Sequence, residues 1–363
     1  MALAFSPRTT KLIFNMKKIA IFNHKGGVSK TTTTFHIGWM LANQGKKVLF
    51  VDADSQCNLT MMFMGYSKYD EFLMKDDKNN IKEALEPAFK AKPRLIDSIE
   101  CLQNAKNKNL YILPGSIDLT EYEVALGMSF QLSTTLGTMK NLPGSFSYLI
   151  DKCMKKYSID YALIDMNPSL SAVNQDLLIS SDFFMIPTSP DVFSLKAIQS
   201  LSRILPTWEN WAVQARKVFK DAEYPLPPHT PKFLGYTIND FNLRQYGQPS
   251  KSFATIMDEI GRTVNKDLAP ALKSADMLLP ESKYQAAKAL NTQLKSLNRE
   301  LDEYCIGQVS NFNRFIADSN KQSVPVYELN PSKVAYQGQR KTLTWFKALF
   351  EMMTKKIILL TND

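Results

Sequence analysis

The chain has 363 residues, of which 44% are hydrophobic, and its 44 Lys and Arg against 35 Asp and Glu give a formal net charge of +9. This composition supports a large core and favours polyanionic partners through non-specific attraction, while the lack of any run of 18 apolar residues predicts no membrane-spanning helix. The four cysteines form no Cys-x-x-Cys pair, which argues against a zinc site or a disulfide framework and predicts a reducing, cytoplasmic environment: Cys57, Cys101, Cys153 and Cys305.

The N-terminal segment, residues 1–15, lacks an apolar stretch long enough for a secretory signal. Because Met16 is followed by two lysines and a strand-like run, it looks like a natural start. Two interpretations therefore stay open for residues 1–15: a non-native extension or a disordered arm. Residues 16–363 are predicted to form a single enlarged α/β domain, since the motifs described below have the spacing of one sheet.

The most informative motif follows the first predicted strand, Lys18–Phe22. It reads Asn-His-Lys-Gly-Gly-Val-Ser-Lys-Thr-Thr over residues 23–32. A strand that enters a glycine-rich turn, then Lys-Thr and a helix, is typical of a phosphate-binding loop, because glycines let several backbone N–H groups converge on an anion. Lys30 is placed to reach the β- and γ-phosphates of a nucleotide, and the Thr31 hydroxyl is placed to ligate magnesium.

A second lysine, Lys25, stands ahead of the glycines, where an ordinary phosphate loop has no need of it. The motif resembles the Lys-Gly-Gly-x-Gly-Lys-Thr-Thr signature of the ParA/MinD family of deviant phosphate-loop ATPases. In that family the extra lysine crosses to the partner subunit's nucleotide, so that two protomers enclose two ATP molecules. The resemblance implies ATP and Mg²⁺ as cofactors, a homodimer that forms on ATP binding, Lys25 as the trans lysine and Lys30 as the cis lysine. The nucleotide-binding residues that it implies in this loop are Lys25, Gly26, Gly27, Val28, Ser29, Lys30, Thr31 and Thr32.

One residue departs from the signature, because Ser29 occupies the position of the family's last glycine. If this position requires a positive φ, the side chain costs about 1 kcal/mol of backbone strain. Such strain would slow hydrolysis or loosen binding. No charge is lost, however, so we still expect the loop to bind a nucleotide.

Two carboxylates follow the second predicted strand, Val48–Val51, whose continuous apolar character is typical of a strand buried in a parallel sheet. Asp52 and Asp54 stand at its carboxyl end, where ligands bind in doubly wound folds. The segment resembles the family's Asp-x-Asp-Pro-Gln pattern, with Ser55 in place of the proline. By this resemblance, Asp54 positions the attacking water and supports the magnesium shell, and with Lys25 it forms the catalytic pair.

A third apolar run, Tyr161–Ile164, ends in Asp165. This is the arrangement of a Walker B strand, whose acid holds magnesium through a bound water. Family members usually continue as Asp-x-Pro-Pro, and Asn167 replaces the first proline here. Together with Thr31 and Asp54, Asp165 completes the predicted magnesium ligands.

The resemblance continues in family order along most of the chain, and it implies a doubly wound α/β fold: a mostly parallel sheet flanked by helices, with helical insertions. One of the matching strands ends in the loop that contacts adenine in the family, which nominates Asn239. A terminal helix is expected from about Gln339. The matching strands are Asn109–Leu113, Asp182–Thr188, Phe233–Asn239 and, as the last strand, Pro325–Tyr327.

Two stretches exceed the minimal family domain and are predicted to be insertions, at about residues 65–108 and 260–310. The first contains a predicted short helix at Ile81–Phe89. The second contains apolar residues in a 4-3-4-3 spacing that predicts an amphipathic helix. This helix either packs on its own domain or supports a partner or dimer contact. Its apolar residues are Leu290, Leu294, Leu297, Leu301 and Tyr304.

Positive charge is concentrated after the strand that ends at Thr188, and it indicates either a DNA-binding surface or an ordinary solvated helix face. Arg244 aligns with an arginine that partition ATPases of the family place against the DNA backbone, and Arg203 and Lys217 are further candidates. Such phosphate contacts are independent of sequence and weaken with salt. No zinc-finger or helix-turn-helix pattern is present, so operator-specific binding is not expected. The basic residues of the helical segment are Lys196, Arg203, Arg216, Lys217 and Lys220.

The resemblance favours a ParA-type ATPase for plasmid or chromosome partition, cytoplasmic and associated with the nucleoid. Its hydrolysis of ATP to ADP and phosphate is expected to be slow and to be stimulated by a ParB-like centromere-binding protein or another activator. The departures at Ser29, Ser55 and Asn167 leave open a divergent ParA-like ATPase that serves a mobile element or a defence system.

Two other classes of protein are weighed against this. A MinD-like positioning ATPase would use an amphipathic terminal helix on the membrane, and Trp345–Lys356 has suitable aromatic and basic residues. A membrane partner is nevertheless not expected, because the same spacing suits a helix packed on the domain. A redox or metalloid relative, such as a nitrogenase iron protein or an arsenite-pump ATPase, would need paired cysteines that this chain lacks.

Overall fold

The computed structural model describes residues 16–74, 79–132, 137–243, 249–293, 301–330 and 338–362. One sheet runs through the molecule and helices cover both of its faces. The strands are β1 (Lys17–Ile21), β2 (Val48–Ala53), β3 (Leu102–Gln103), β4 (Leu110–Leu113), β5 (Tyr161–Met166), β6 (Phe183–Thr188), β7 (Lys232–Phe241) and β8 (Cys305–Ser310). The helices in the described residues are α1 (Lys30–Asn43), α2 (Asn58–Met64), α3 (Tyr66–Met74), α4 (Ile81–Phe89), α5 (Tyr122–Leu132), α6 (Ser145–Tyr157), α7 (Ala172–Ile179), α8 (Val192–Val218), α9 (Lys251–Thr263), α10 (Ala269–Ser274), α11 (Glu281–Ala289), α12 (Phe315–Gln322) and α13 (Gly338–Thr361).

The spatial order of the strands is β3-β4-β2-β5-β1-β6-β7-β8, and all neighbours pair in parallel except β3 with β4. The chain leaves β1 for β2 on one side, returns through β5, and continues through β6 to β8 on the other side. The predicted doubly wound, mostly parallel sheet is confirmed. In such sheets the crevice next to the first strand, at the carboxyl ends of the strands, is where ligands bind.

Two hydrophobic clusters fill the layers above and below the sheet. Side chains alternate between the faces of each strand: Ala20 packs in one cluster, while its neighbours Ile19 and Ile21 pack in the other. Helices α4 to α10 cover the first face, and helices α1, α2 and α11 to α13 cover the second. Both faces of the central strands are therefore buried, as their continuous apolar sequences predict.

Helix α1 lies unusually close to the sheet. A Cβ atom at Gly38 would come within 2.2 Å of the Phe50 ring of β2, so a larger residue could not occupy this position without moving the helix or the ring. This contact fixes α1, and with it the loop that precedes the helix, against the carboxyl end of the central strands.

The helical stripe predicted between Leu290 and Tyr304 is wrong at its C-terminal end. Helix α11 ends at Ala289 and a 3-10 turn follows over Leu290–Gln293, while Leu294 and Leu297 lie outside the described residues. Leu301 is buried in the core, but Tyr304 lies in a turn directly before β8. The spacing of the apolar residues predicts a helix up to Tyr304. The buried segment that begins directly afterwards, at Cys305, instead pairs with β7 as a strand.

The segment predicted to be the last strand, Pro325–Tyr327, is also different in the structure. Val326–Glu328 forms a 3-10 turn, and β8 is the strand that borders β7. The turn packs on α1 instead, where the Val326 N–H donates to Nε2 of His36 at 3.1 Å. A strand at this position would also lack one donor, because Pro325 has no N–H.

Two other predicted elements are present at the expected places. Helix α4 spans Ile81–Phe89, and α13 begins at Gly338 beside the expected Gln339. The segment predicted as the first insertion, residues 65–108, contains α3, α4 and β3. In the described part of the chain, no helix combines the length and the apolar character that crossing a membrane requires.

Candidate functional site

The phosphate-binding loop connects β1 to α1 at the carboxyl end of the sheet. Gly26 and Gly27 are exposed, and Gly27 has a φ of +72°, a conformation that glycine adopts without strain. Val28 is buried beneath the loop. Because α1 begins at Lys30, the N–H groups of its first turn have no helical partner, and they carry the positive end of the helix dipole. The loop thus has the parts of an anion site.

Ser29 is the residue immediately before α1, and it has φ 61° and ψ 36°, in the left-handed region. Its side chain makes no capping hydrogen bond that would offset the strain. Position 29 therefore does require a positive φ, the condition under which strain is expected from the sequence. The serine costs about 1 kcal/mol relative to the glycine of the family signature.

Lys30 lies in the first turn of α1 with its side chain largely buried. Its Nζ donates to the backbone carbonyl of Lys25 at 3.3 Å. Burial lowers the pKa of Lys30, while the negative charges of Asp165 and Asp54 act in the opposite direction. The structure thus brings together one buried ammonium group and two of the predicted carboxylates.

Asp52 and Asp165 are register partners on the adjacent strands β2 and β5, and both are completely buried. Burial raises the pKa of Asp52 to about 6, although three hydrogen bonds oppose the shift. Two of those bonds come from Thr60, whose N–H and hydroxyl donate to Oδ2 of Asp52 at 2.8 and 2.6 Å. Asp52 therefore anchors α2. Asp54 lies two residues further on, and its Oδ1 accepts the Gln56 N–H of the following turn at 3.0 Å.

Asp165 is less well compensated than Asp52. Burial and the charge of Asp52 raise its pKa to about 8, while Thr31 and Lys30 act against the rise. Its Oδ1 lies 3.5 Å from the Thr34 hydroxyl, and Oδ2 has no hydrogen-bond partner among the described residues. A buried carboxylate in these surroundings is stabilised by a cation.

Magnesium fits this donor set. Thr31, Asp54 and Asp165 offer hard oxygen ligands, which Mg²⁺ prefers, and Mg²⁺ in nucleotide sites takes its other ligands from phosphates and water. Within the described residues no three His, Cys, Asp or Glu side chains are grouped so that they alone could hold a metal ion. The site therefore suits an ion that arrives with a phosphate ligand.

Lys25, the extra lysine, lies at the rim of the loop. Its Nζ donates to Oδ2 of Asp191 at 2.6 Å. Asp191 is the N-cap of α8, and its Oδ1 accepts from the Ser194 N–H at 2.9 Å. The two lysines of the motif thus have different surroundings. The Lys30 ammonium group is hydrogen-bonded within the loop, whereas the Lys25 ammonium group is paired with Asp191 at the start of α8.

Asn239, near the end of β7, is buried against the loop. Its Nδ2 donates to the Val28 carbonyl at 3.0 Å and to the Thr33 hydroxyl at 3.2 Å. A small cavity of about 30 Å³, open to solvent, lies beside it. The cavity is lined by the start of α1, the end of β7 and the segment after β8: Ser29, Thr32, Thr33, Asn239, Asp240, Val309, Ser310, Asn311, Phe312 and Phe350.

The loop after β5 is held by an amide network rather than by two prolines. Asn174, completely buried on α7, donates to the backbone carbonyls of Asn167 and Ser169 at 2.9 and 2.7 Å and to the Asn167 side chain at 2.9 Å. Pro168 lies within this loop, and a Cβ atom at Gly26 would be 3.9 Å from it. The network therefore fixes a loop that borders the phosphate site.

The basic residues considered for DNA binding do not share one environment. Arg203 and Lys217 are exposed on α8, whereas Arg244 lies outside the described residues. Arg216 is not available as a surface cation, because it forms a buried ion pair with Glu209 at 2.6 Å. Lys220 lies beyond the end of α8 at Val218.

Helix α13 packs its apolar side against the domain. Leu349 and Met353 are completely buried, and Trp345 is partly buried beside them. The buried Lys356 also faces inward, where its Nζ donates to the carbonyls of Cys305 and Ile306 at 2.8 and 3.1 Å. The apolar face of this helix is therefore occupied by β8 and α1.

Sequence reasoning missed three features of the site. These are Asp191 as the partner of Lys25, Asn174 as the support of the loop after β5, and the residues after β8 that line the cavity. Asp191 carried a usable signal, because an Asp immediately before the first apolar residues of a helical segment is a preferred N-cap. The residues after β8 carried none, since β8 itself fell inside the predicted insertion at about 260–310 and was not recognised as a strand.

The fold and the loop define a phosphate-loop protein of the doubly wound α/β class. A family model described as "AAA domain" matches residues 16–214, more than half of the chain, and the chain belongs to this family as a member of its ParA/MinD-type phosphate-loop ATPases. A ParA family protein of Chlamydia pneumoniae is 26% identical over 245 residues, covering 67% of this chain and 78% of that protein. The chain spans about half the length of other curated relatives: an uncharacterized Mycobacterium tuberculosis protein is 32% identical over 51% of each chain.

Two solved structures share the fold at low sequence identity. The ATP complex of a Cyanothece McdA variant superposes with a TM-score of 0.59 at 17% identity, covering 94% of this chain and 96% of that one. A putative plasmid partition protein of Borrelia burgdorferi B31 bound to AMPPNP gives a TM-score of 0.55 at 18% identity, covering 94% and 99%. These likenesses extend the architecture over nearly the whole chain.

Proposed function

We propose that this protein is an ATP-dependent dimerising switch of the ParA type, which hydrolyses ATP and binds DNA non-specifically in plasmid or chromosome partition. The observation that carries the proposal is a phosphate loop with two lysines in different surroundings. Lys30 is buried in the loop beside carboxylates, and Lys25 lies at the rim. One lysine suffices for the subunit's own nucleotide, so the second is available for a neighbour's.

In this proposal the loop residues from Gly26 to Thr32 hold the phosphates through backbone N–H groups and Lys30. Thr31, Asp54 and Asp165 hold Mg²⁺, which neutralises phosphate charge. Asp54 orients the attacking water, because it is the least buried of the three carboxylates at the site. The base would lie in the solvent-open cleft that begins at the small cavity beside Asn239. The ATP and AMPPNP bound in the two similar structures support this choice of nucleotide.

The exposed apolar residues around the loop support a homodimer. Leu170 follows the loop that borders Gly26, and Val192 and Phe193 follow Asp191, the partner of Lys25. Phe193 is 75% exposed and Val192 is 57% exposed. We take these exposed apolar side chains as part of one contact surface, since contiguous apolar surface marks interaction sites, and a two-fold interface would bring the same surface together from both subunits. Such a dimer would place each Lys25 near the other subunit's site.

Arg203, Lys217 and Arg244 are the proposed DNA contacts, and the net charge of +9 favours their attraction to phosphates. We place the protein in the cytoplasm on the nucleoid, with slow hydrolysis stimulated by a ParB-like or other activating protein. The packed apolar face of α13 disfavours the MinD-like alternative, since that face is not free to enter a lipid surface.

A divergent ParA-like role in a mobile element or a defence system is the second candidate. It is favoured by the strained Ser29 and by Asn167, whose side chain joins the Asn174 amide network where the family has proline. The two roles differ in the neighbouring genes. A centromere-binding protein encoded next to this one supports partition, and an effector enzyme in its place supports the second role.

A gel-shift assay on non-specific DNA tests the proposed function. The wild-type protein should shift DNA in ATP and Mg²⁺ but not without nucleotide, and Lys25→Ala should abolish the ATP-dependent shift. Lys155→Ala, which removes an exposed lysine of α6, controls for the loss of charge. Equal DNA binding with and without ATP would contradict the proposal.

A further inference from the structure

At the rim of the phosphate loop, Lys25 forms an ion pair with Asp191 that would have to break when the proposed dimer forms. Nζ of Lys25 lies 2.6 Å from Oδ2 of Asp191 in the same subunit. The Lys25 side chain is 18% exposed and that of Asp191 is 39% exposed. Lys25 therefore lies against its own subunit, although the proposed function requires its ammonium group to reach across to a second one.

The Asp191 carboxylate is hydrogen-bonded within its own subunit, at the start of α8. Its Oδ1 caps α8 by accepting the Ser194 N–H at 2.9 Å, and this leaves Oδ2 for the lysine. The Ser194 hydroxyl in turn accepts the Ser189 N–H at 3.1 Å. The carboxylate is consequently fixed by the turn between β6 and α8.

The backbone beneath Lys25 is fixed as well. Oδ1 of Asn23 accepts the Lys25 N–H at 3.0 Å, and Nδ2 of Asn23 donates to the Pro187 carbonyl at 2.8 Å. Asn23 thus ties the loop to the end of β6, beside the turn that carries Asp191. The ion pair can therefore open by movement of the Lys25 side chain alone, with both hydrogen-bonded anchors kept.

We propose that Asp191 is a positioning residue that retains Lys25 in its own subunit until a partner's nucleotide displaces the carboxylate. The inference rests on the proposed function, because it concerns the lysine that the dimer would use. Asp191 and the triphosphate are alternative anions for one ammonium group. The ion pair is therefore lost each time a subunit enters the dimer, and it sets the nucleotide and protein concentrations at which the dimer forms.

Asp191→Asn separates this role from capping, because asparagine is as good an N-cap as aspartate but carries no charge. A partly exposed ion pair of this kind changes an equilibrium by about twofold to fivefold. Each dimer breaks two of them, so the dissociation constant of the dimer in ATP and Mg²⁺ should fall by about fourfold to 25-fold. The thermal stability of the nucleotide-free protein should change little.

The experiment measures dimer dissociation constants by sedimentation in a non-hydrolysed ATP analogue with Mg²⁺. Asp97→Asn is the matched control, since Asp97 is an exposed carboxylate that accepts a local N–H at 2.7 Å and lies outside the site. We expect tighter dimers for Asp191→Asn, wild-type values for Asp97→Asn, and no dimer for Lys25→Ala. An unchanged or weaker dimer for Asp191→Asn would overturn the proposal.

A second measurement needs no dimer. Acylation of Lys25 by an amine-reactive ester, followed by mass spectrometry on the nucleotide-free protein, should be faster in Asp191→Asn than in wild type and in Asp97→Asn. Equal rates would overturn the retention of Lys25 while leaving the proposed function intact. If the rates differ but the wild-type protein never dimerises in the analogue, the proposed function is contradicted. The proposed displacement of Asp191 by a partner's nucleotide is then contradicted as well.

Discussion

The two ends of the parallel sheet are built differently. At the carboxyl end, Asp165 and Asp52 are completely buried, and burial raises their pKa values to about 8 and about 6. Ser29 holds a left-handed conformation next to them, and Phe193 stands exposed nearby. This end therefore contains backbone strain, buried carboxyl groups that are only partly compensated, and exposed apolar surface.

At the amino end the charges are paired. Lys18 donates to the Ser147 hydroxyl at 2.6 Å and forms an ion pair with Asp151 at 2.9 Å. Asp182 accepts the Lys18 N–H at 2.6 Å and pairs with His229 at 3.0 Å. Although burial alone would raise its pKa, the hydrogen bonds and charges of His229 and Lys18 hold the pKa of Asp182 below its usual value.

The contrast separates stability from function within one sheet. Groups at the amino end satisfy one another, so substitution there should lower stability without changing nucleotide binding. Groups at the carboxyl end are compensated only in part, which costs stability but leaves them ready for a charged ligand. Each of the following variants tests whether this division holds.

The largest effect is expected at the carboxyl end, for Lys30→Ala. Removal of the buried ammonium group should weaken ATP binding by about 100-fold, because a charged partner of the phosphates is lost from a water-poor site. Titration with a fluorescent ATP analogue measures the affinity. Lys155→Ala, at an exposed site on α6, should bind ATP like wild type. Normal ATP affinity of Lys30→Ala would contradict the assignment of nucleotide binding to the carboxyl end of the sheet.

Asp176 on α7 tests whether an uncompensated carboxylate lowers stability away from the site. Its Oδ1 accepts the Gly144 N–H at 3.4 Å, Oδ2 has no partner in the described part of the chain, and burial raises its pKa to about 7. The folded state thus holds the proton more tightly than the unfolded chain, so this group's contribution to stability is lost as pH rises from about 4 to 7.

Asp176→Asn resembles the protonated form at every pH. Relative to wild type it should gain about 2–4 kcal/mol of unfolding free energy at pH 8 and little below pH 4. Urea denaturation of both proteins across this range measures the difference. A constant difference between the two proteins at all pH values would contradict the assignment.

Lys18→Met tests the amino end. The variant keeps the buried aliphatic chain but leaves Ser147 and Asp151 without their cation, so we expect a loss of about 1–3 kcal/mol of stability. Its affinity for ATP should equal that of wild type. Urea denaturation and nucleotide titration on the same preparation provide the test, and a weakened ATP affinity would show that the two ends are coupled.

Ser29→Gly should have the smallest effect, a small gain in stability. Relief of the left-handed strain should add about 1 kcal/mol of stability, although the extra backbone freedom of glycine in the unfolded chain offsets part of the gain. Thermal unfolding without nucleotide measures it. A loss of stability would mean that the serine side chain makes a contact which outweighs the strain.

Much of the carboxyl end could be predicted from the sequence because its signals are local. Glycines beside Lys30, and carboxylates directly after the runs that became β2 and β5, occupy positions that follow from strand direction alone. The short helix α4 was also predicted at its observed place, and α13 was expected from the family resemblance.

The remaining features depend on contacts between distant segments. The stripe that begins at Leu290 has helical spacing, yet the chain after Tyr304 pairs with β7 as a strand. The partnership of Lys25 with Asp191 joins residues 166 positions apart. Neither can be read from local patterns, because the energies that decide them come from the packed sheet.

The central claim is that Lys25 ties self-association to ATP. Sedimentation of the wild-type protein, saturated with a non-hydrolysed ATP analogue and Mg²⁺, tests it most directly. The account predicts a particle of twice the mass of the 41.2 kDa chain for wild type and a single chain for Lys25→Ala under the same conditions. A wild-type protein that stays a single chain at saturation would contradict it.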